Sequence, residues 1–207
     1  GDSIVINGVD KLYGCVHSVL PDRIEASTYM AFAAVTGGEL VLNNVCIEHI
    51  EPVVFAFREA GCLVDLFDEK IKIKAPKRLN RVNHIKTLVY PGFPTDSIMP
   101  LMAMCCVANG TSIFEETIFQ SRFKAADELN KLGANIKVYD RVAVVEGVEK
   151  LFGTEVKATD LRGGAALVCA GLYADGKTVV SELSHIDRGY ENLEENLNLI
   201  GADIKRS

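Results

Sequence analysis

Residues 158–171 read Ala-Thr-Asp-Leu-Arg-Gly-Gly-Ala-Ala-Leu-Val-Cys-Ala-Gly, and the rest of the chain repeats the design of this stretch. Thr159 and Asp160 stand where a helix should begin, ahead of an apolar run from Ala165 to Ala170 without a breaker. An Asp at that position accepts hydrogen bonds from the free N–H groups of the first turn. Arg162 follows in that turn, beside the positive end of the helix dipole. Positive charge and free donors at one helix mouth suit an anion, with phosphate and carboxylate the common guests. Two readings stay open on this stretch alone: an anion socket, or a capped helix with a surface arginine.

The arrangement occurs three times, in units spanning 21–74, 86–148 and 154–207. Pro21-Asp22, Thr95-Asp96 and Thr159-Asp160 each precede an apolar helix. These helices stop at Val35-Thr36-Gly37-Gly38, Val107-Ala108-Asn109-Gly110 and Tyr173-Ala174-Asp175-Gly176. Gly or Asn at such a stop takes the left-handed conformation that closes a helix. A strand follows in each unit (39–45, 111–117, 177–183). Then comes a second helix ending in Glu59-Ala60-Gly61, Lys131-Leu132-Gly133 or Leu199-Ile200-Gly201, and a further strand (62–67, 134–139, 202–205). The closing glycines lie 72 and 68 residues apart. That self-similarity marks a repeat architecture with a period longer than in solenoids.

Alternating strands and helices give an α/β or α+β class, with helices packed on sheets. Thr28–Val35 and Leu101–Ala108 have almost no polar face, as buried helices do. The second helices are amphipathic: Leu193, Leu197 and Ile200 share one face, while Glu191, Glu194 and Glu195 point to solvent. The expectation is an inside-out, barrel-like domain over 21–207 with pseudo-threefold symmetry. Three apolar helices meet at its centre, with strands and amphipathic helices outside. Residues 1–20 read as a strand at Ile4–Val9 and an inter-domain connector through Gly14 and Cys15. Ala75–Lys86 reads as a flexible join whose Pro76, Lys77, Arg78 and Arg81 are solvated.

The bulk numbers narrow the function. The chain has 207 residues, 48% hydrophobic and 24% charged, enough for one large domain or two small ones. A net charge of −6 argues against a nucleic-acid surface, so Arg122, Arg162 and Arg188 are local features. The six cysteines form no CxxC pair and mostly lie in apolar runs, and the four histidines show no ligand spacing. This reads as buried thiols in a reducing cytoplasm, with no disulfide, metal or cofactor, and with Cys105 and Cys106 in a helix core. No apolar run approaches the ~18 residues needed to cross a membrane. The opening residues lack the basic segment of a signal peptide and look like the middle of a strand. The expectation is a chain that begins partway through a larger protein.

Threefold symmetry would set Asp22, Asp96 and Asp160 on one rim, with the loops 118–122 and 185–189 beside them. Arg122, Arg162 and Arg188 would then converge, and arginine's planar fork suits carboxylate and phosphate. In Pro91-Gly92-Phe93-Pro94-Thr95-Asp96, two prolines and a glycine fix the approach to Asp96, and Pro94 disfavours helix before it. A rigid approach suits a carboxylate that must be positioned. Helix capping would also account for Asp96.

Pro-Gly-Phe-Pro-Thr-Asp (91–96), Glu-Thr-Ile-Phe-x-x-Arg-Phe (116–123), Ala-Thr-Asp-Leu-Arg (158–162) and His-Ile-Asp-Arg-Gly-Tyr-Glu (185–191) stand in order along the chain. With Leu-Pro-Asp-Arg-Ile-Glu (20–25), they resemble the enolpyruvyl transferases that act on UDP-N-acetylglucosamine, essentially end to end. The resemblance implies transfer of the enolpyruvyl group of phosphoenolpyruvate to the sugar's 3-hydroxyl with release of phosphate, the first committed step of peptidoglycan synthesis. It also implies a fold of two inside-out α/β domains built from repeated units. By the same resemblance Asp96 is the base near the 3-hydroxyl and also holds the nucleotide sugar, and Ile118 touches that substrate largely through its backbone. Arg122, Arg162 and Arg188 bind phosphoenolpyruvate and stabilise charge in the tetrahedral intermediate. Asp160 lies against the reacting centre, for proton traffic or orientation. Arg23 is a further substrate-binding candidate, divided with Asp22 between helix capping and inter-domain contact.

The family's Lys-Asn pair and its mobile Gly-Cys-x-Ile-Gly loop have no counterpart here. The chain therefore corresponds to the C-terminal half, expected to fold but not to turn over without the N-terminal half. Other departures are Ser97-Ile98-Met99-Pro100 where glutamine is usual, Ser121 for Asn, Ala125 for His, and Gly163-Gly164 for Ala-Ser. Two alternatives stand beside this reading: the related transferase of shikimate 3-phosphate, and a non-catalytic stand-alone binding domain. The His-Ile-Asp-Arg-Gly-Tyr segment speaks for the sugar nucleotide.

Overall fold

The structure is a computed structural model that describes residues 3–206. Three apolar helices occupy its centre: α1 (Arg23–Val35), α3 (Ile98–Cys105) and α5 (Leu161–Tyr173). Each packs against the other two. All eight residues of α3 are buried, as is α5 from Arg162 to Ala170. Two of the three helices begin at a capping Asp. The Asp22 carboxylate accepts from Ile24 N (2.7 Å), and Asp160 accepts from Arg162 N (3.0 Å) and Gly163 N (2.9 Å). A cap of this kind is worth about 0.5–2 kcal/mol.

Sheets and shorter helices surround this centre. β1 (Glu39–Asn43), β2 (Leu63–Phe67) and β3 (Lys70–Lys74) form an antiparallel sheet in the order β1-β3-β2, with α2 (Glu51–Glu59) against β2. β4 (His84–Lys86), β5 (Thr111–Glu115), β6 (Asn135–Tyr139) and β7 (Val142–Glu146) form a sheet in the order β4-β5-β7-β6, with α4 (Ala126–Lys131) against β6. β4 runs parallel to β5, pairing Ile85 with Phe114, and the rest is antiparallel. β8 (Glu155–Lys157) pairs parallel with β9 (Val179–Ser181). The helical turn α6 (Ser184–Asp187) and α7 (Leu193–Leu199) complete the chain. In β3 and β7 alternate residues turn inward, burying Ile71, Ile73, Ala143 and Val145.

Of the glycines predicted to close helices, Gly37, Gly61, Gly133 and Gly201 directly follow the last helical turn, whereas α3 already ends at Cys105 and α5 at Tyr173, ahead of Gly110 and Gly176. Gly37, Gly110 and Gly176 follow the central helices with φ of 70°, 107° and 91°. Gly61, Gly133 and Gly201 follow the outer ones with φ of 91°, 95° and 103°. A side chain bearing Cβ is strained in that region.

Several expectations are corrected. The sheets are separate, and no closed barrel is present among the described residues. Ile4–Val9 forms no strand: Ile4 is 90% exposed and no neighbouring strand offers its backbone a ladder. Residues 202–205 form none either. The strands after the other two outer helices, β2 and β6, pair with β3 and β7, whereas 202–206 have no such partner. Asn198 holds that segment instead, donating to Ile204 O (2.8 Å) and accepting from Ile204 N (3.2 Å). Ala75–Lys86 is no loose join: Leu79 and Val82 are buried, Asn80 N donates to Ala60 O (2.9 Å), and Asn109 N donates to Leu79 O (2.7 Å). Ile200 stands half exposed rather than inward with Leu193 and Leu197.

Candidate active site

Pro94 ends the approach to a single 3-10 turn, Thr95–Ser97, which leads into α3. Asp96 makes no capping bond there. Its carboxylate lies between two arginines instead. Arg122 Nη2 reaches Oδ1 at 2.5 Å and Arg162 Nη2 reaches Oδ2 at 3.2 Å. Both arginine side chains are nearly buried, at 12% and 11% exposure, while Asp96 keeps 38%. The acid thus forms the open edge of an otherwise enclosed charge cluster, and the capping account of Asp96 falls.

Each guanidinium is fixed by further contacts. Arg122 Nε and Nη2 donate to Thr95 O (3.2 and 2.9 Å), with the Phe119 ring 5.6 Å from its centre. Arg162 leaves the first turn of α5, donates to Tyr190 Oη (3.0 Å), and lies 5.4 Å from that ring's centroid. Tyr190 is buried and bonds Thr28 Oγ1 on α1 (2.8 Å), so the three central helices share this corner. Burial opposes the charge of Arg162, but Tyr190 and Asp96 outweigh it and raise its pKa. Burial likewise pushes the Tyr190 hydroxyl up, against the pull of Arg162 and Thr28. Arg162 Nε is buried without a hydrogen-bond partner among the described residues.

Asp160 stands nearby at the head of α5. With Phe119, Gln120, Ser121, Arg122 and Lys124 it lines a shallow pocket of about 370 Å³. Ile118 is 40% exposed, and its N–H is taken by Glu116 Oε1 (2.6 Å), leaving its carbonyl and side chain for contacts. Arg188 does not join the cluster; it is exposed after α6, its N–H donates to Ile186 O, and its side chain makes no hydrogen bond or ion pair among the described residues. Arg23 is held elsewhere, donating to His49 O (3.4 Å) with its guanidinium 5.1 Å from the Tyr90 ring centre.

Sequence reasoning missed the carboxylate that ties these segments together. Glu116 is buried at 1% exposure. Its Oε1 accepts from Thr87 Oγ1 (2.8 Å), Ile118 N and Phe119 N (3.1 Å), and its Oε2 accepts from Thr95 Oγ1 (2.6 Å). Burial alone would raise its pKa; the donors from Thr95, Ile118, Thr87 and Phe119 outweigh that and lower it. Tyr190 was missed as well, although both residues lie within quoted motifs, 116–123 and 185–191. The departures also have structural settings. Ser97 Oγ bonds Ser27 Oγ of α1 (2.7 Å, buried). A Cβ at Gly163 would stand 2.9 Å from the Ala125 Cβ, so small residues at 125 and 163 face each other. No group of three His, Cys, Asp or Glu among the described residues could hold a metal.

The helix-centred α/β fold thus holds an acid between two nearly buried arginines at one corner. Residues 1–197 match the family model of EPSP synthase (3-phosphoshikimate 1-carboxyvinyltransferase), and the chain belongs to that family. It is 51% identical over 207 residues to the UDP-N-acetylglucosamine 1-carboxyvinyltransferase of Desulfofundulus thermocisternus, covering all of this chain and 85% of that protein. It is also 51% identical over 205 residues to UDP-N-acetylglucosamine 1-carboxyvinyltransferase 2 of Geobacillus kaustophilus, but covers 48% of that protein's length. The enolpyruvyl transferase NikO from Streptomyces tendae superposes with a TM-score of 0.81 at 29% identity, over 90% of this chain and 44% of that one. EPSP synthase from Acinetobacter baumannii, at 21% identity and a TM-score of 0.72, shares the fold over 89% of this chain and 46% of that one. The chain thus spans about half the length of most of these proteins. No helix is long and apolar enough to cross a membrane among the described residues.

Proposed function

We propose that this chain is the C-terminal half of an enzyme that transfers the enolpyruvyl group of phosphoenolpyruvate to the 3-hydroxyl of UDP-N-acetylglucosamine, for peptidoglycan synthesis. The observation that carries the proposal is the Asp96 carboxylate, held open to solvent between Arg122 and Arg162. In this reading the arginines turn to the anionic donor when it binds, and the unpaired Arg162 Nε serves the same guest. Asp96 then takes the proton of the 3-hydroxyl as its oxygen adds to C2 of the donor. The methylene carbon gains a proton, giving a tetrahedral intermediate. Loss of phosphate and of a methyl proton restores the vinyl group. Arg122 and Arg162 balance the phosphate charge throughout, joined by Arg188 once the rim closes. Asp160, anchored by its capping bonds, orients the reacting centre, and Ile118 and Arg23 contact the nucleotide sugar.

The finer architecture belongs to the same proposal. Residues 21–207 form one inside-out domain of three pseudo-symmetric repeats, supported by the mutual packing of α1, α3 and α5 and by the glycine pairs that close each unit. The N-terminal half supplies the remaining contacts with the substrates. Six free thiols suit the reducing cytoplasm, where we place the enzyme. The shikimate 3-phosphate alternative ranks second, because the 51% identical relatives carry the sugar-nucleotide name.

An NMR titration of this chain with UDP-N-acetylglucosamine, with shikimate 3-phosphate as control, tests the reading. Selective shifts at Asp96 and Ile118 with the sugar nucleotide are expected. Shifts with shikimate 3-phosphate alone would favour the second reading, and silence with both would remove the preformed site.

A further inference from the structure

Among the described residues no side chain of α1 bonds the Asp96 carboxylate, yet two adjacent polar residues of that helix, Ser27 and Thr28, are fully buried. A polar group inside an apolar centre is costly unless its donors and acceptors are met. Seven polar or charged residues are buried among the described ones. All but Ser112 lie at this corner, either in the network of Glu116 or behind Asp96 and Arg162. Bonding back to their own helix would satisfy Ser27 and Thr28 without any outer contact. Each has one nonetheless.

A hydroxyl has one proton to give, and that fixes the direction of every bond here. Thr28 Oγ1 donates to Ile24 O (2.9 Å). Tyr190 Oη lies 2.8 Å from Thr28 Oγ1, and its other partner, Arg162 Nη1 (3.0 Å), can only donate. Tyr190 therefore donates to Thr28. Ser27 Oγ donates to the same carbonyl, Ile24 O (2.8 Å). Ser97 Oγ has no partner but Ser27 Oγ (2.7 Å) among the described residues, so Ser97 donates to Ser27. Two one-way chains result, from Arg162 through Tyr190 and Thr28, and from Ser97 through Ser27. Both end on Ile24 O, and Asp22 pins that residue by accepting from Ile24 N (2.7 Å). The outer ends are the two sides of the acid–arginine pair. Arg162 gives Nη1 to Tyr190 and Nη2 to Asp96 (3.2 Å), so its rigid fork carries the position of Tyr190 to the acid. Ser97 closes the turn that holds Asp96.

We propose that Ser27 and Thr28 are positioning residues, through which the first turns of α1 set the Asp96 turn and the Arg162 guanidinium against each other. Tyr190 is the link on the arginine side. What the pair does in catalysis rests on the transferase reading given above. Each chain governs one member of the pair: loss of the Thr28 or Tyr190 hydroxyl loosens Arg162, and loss of the Ser27 hydroxyl loosens the Asp96 turn. The chains lie in the buried interior, where unmade bonds find no water to replace them.

Side-chain NMR of the full chain carrying isotope-labelled arginine reads this directly. Tyr190→Phe and Thr28→Val are each expected to speed exchange of the Arg162 Nη protons with water about 3- to 10-fold, and the double variant no more than either. Thr28→Ser keeps the hydroxyl and is expected to keep the wild-type rate. Ser27→Ala is expected to leave Arg162 unchanged and to speed amide exchange at Ser97 instead. In the enzyme completed with its other half, Thr28→Val is expected to lower kcat by a similar factor with KM unchanged, and Thr28→Ser to restore it. Unchanged Arg162 exchange in both Tyr190→Phe and Thr28→Val would overturn the proposal, even beside a lower melting temperature, because the hydroxyls would then serve stability alone. A faster Arg162 with unchanged kcat would overturn it too. Absence of turnover in the completed wild type would instead sink the transferase reading, and the exchange rates would then decide the positioning by themselves.

Discussion

Glu116 holds the Thr95 hydroxyl and the Ile118 and Phe119 N–H groups at once, so one buried carboxylate sets the distance between the Asp96 turn and the Arg122 loop. Glu116→Gln turns one acceptor into a donor facing donors, and is expected to lower stability by about 1.5–3 kcal/mol at neutral pH. Because its pKa is lowered on folding, this stabilisation is present above the ordinary carboxylate value of 4.5 and is lost as the pH falls through the lowered pKa. Denaturant melts of wild type and Glu116→Gln should therefore converge in acid. Asp96→Asn is expected to cut turnover of the enzyme completed with its other half about 10²–10⁴-fold. The candidate acids and arginines were legible as motif letters. Their partnerships were not: Arg122 and Arg162 reach Asp96 across 26 and 66 residues, and no local spacing reports such a contact. Glu116 was legible only as the first letter of the 116–123 motif, without a role.

The central helices were legible because an apolar run without a polar face has nowhere to lie except inside. Their close packing depends on residues whose importance lies in size. A Cβ on Gly164 would stand 2.6 Å from Ile186 Cγ1, so Gly164→Ala is expected to cost about 1–3 kcal/mol by overpacking, read from thermal melts. The strands β3 and β7 escaped the sequence reading. Their hairpins turn at Asp68 and Asp140, with φ of 42° and 52°, without the Asn-Gly or Asp-Gly pair that announces such a turn. Residues 202–205 failed in the opposite direction. Their pattern suits a strand, but a strand exists only where a second one pairs with it.

For the whole molecule, the class of fold followed from the alternation of elements, and membership of the family from four ordered motifs. Which arginines meet had to come from the three-dimensional arrangement, since it joins Arg122 and Arg162 and leaves Arg188 outside. On the proposed reading the other half of the protein completes the active centre, so this chain gives no turnover by itself. A phosphate-release assay on this chain with both substrates is expected to read background, and a rate near that of intact relatives would overturn the half-enzyme account.

The distribution of sulfur gives the molecule a built-in clock. Cys62, Cys105, Cys106 and Cys169 are buried in or beside the central helices, and burial pushes their thiols up, to about 12 for Cys62 and Cys105. Cys46 is half buried and raised by its bond to Glu48, while Cys15 stands exposed ahead of α1. An alkylating reagent therefore meets exposed Cys15 first, Cys46 second and the core last, because a buried thiol is out of reach and, with its pKa raised, holds little thiolate. Residue-by-residue labelling rates, followed by mass spectrometry, time the opening of the helical centre against the baseline set by Cys15.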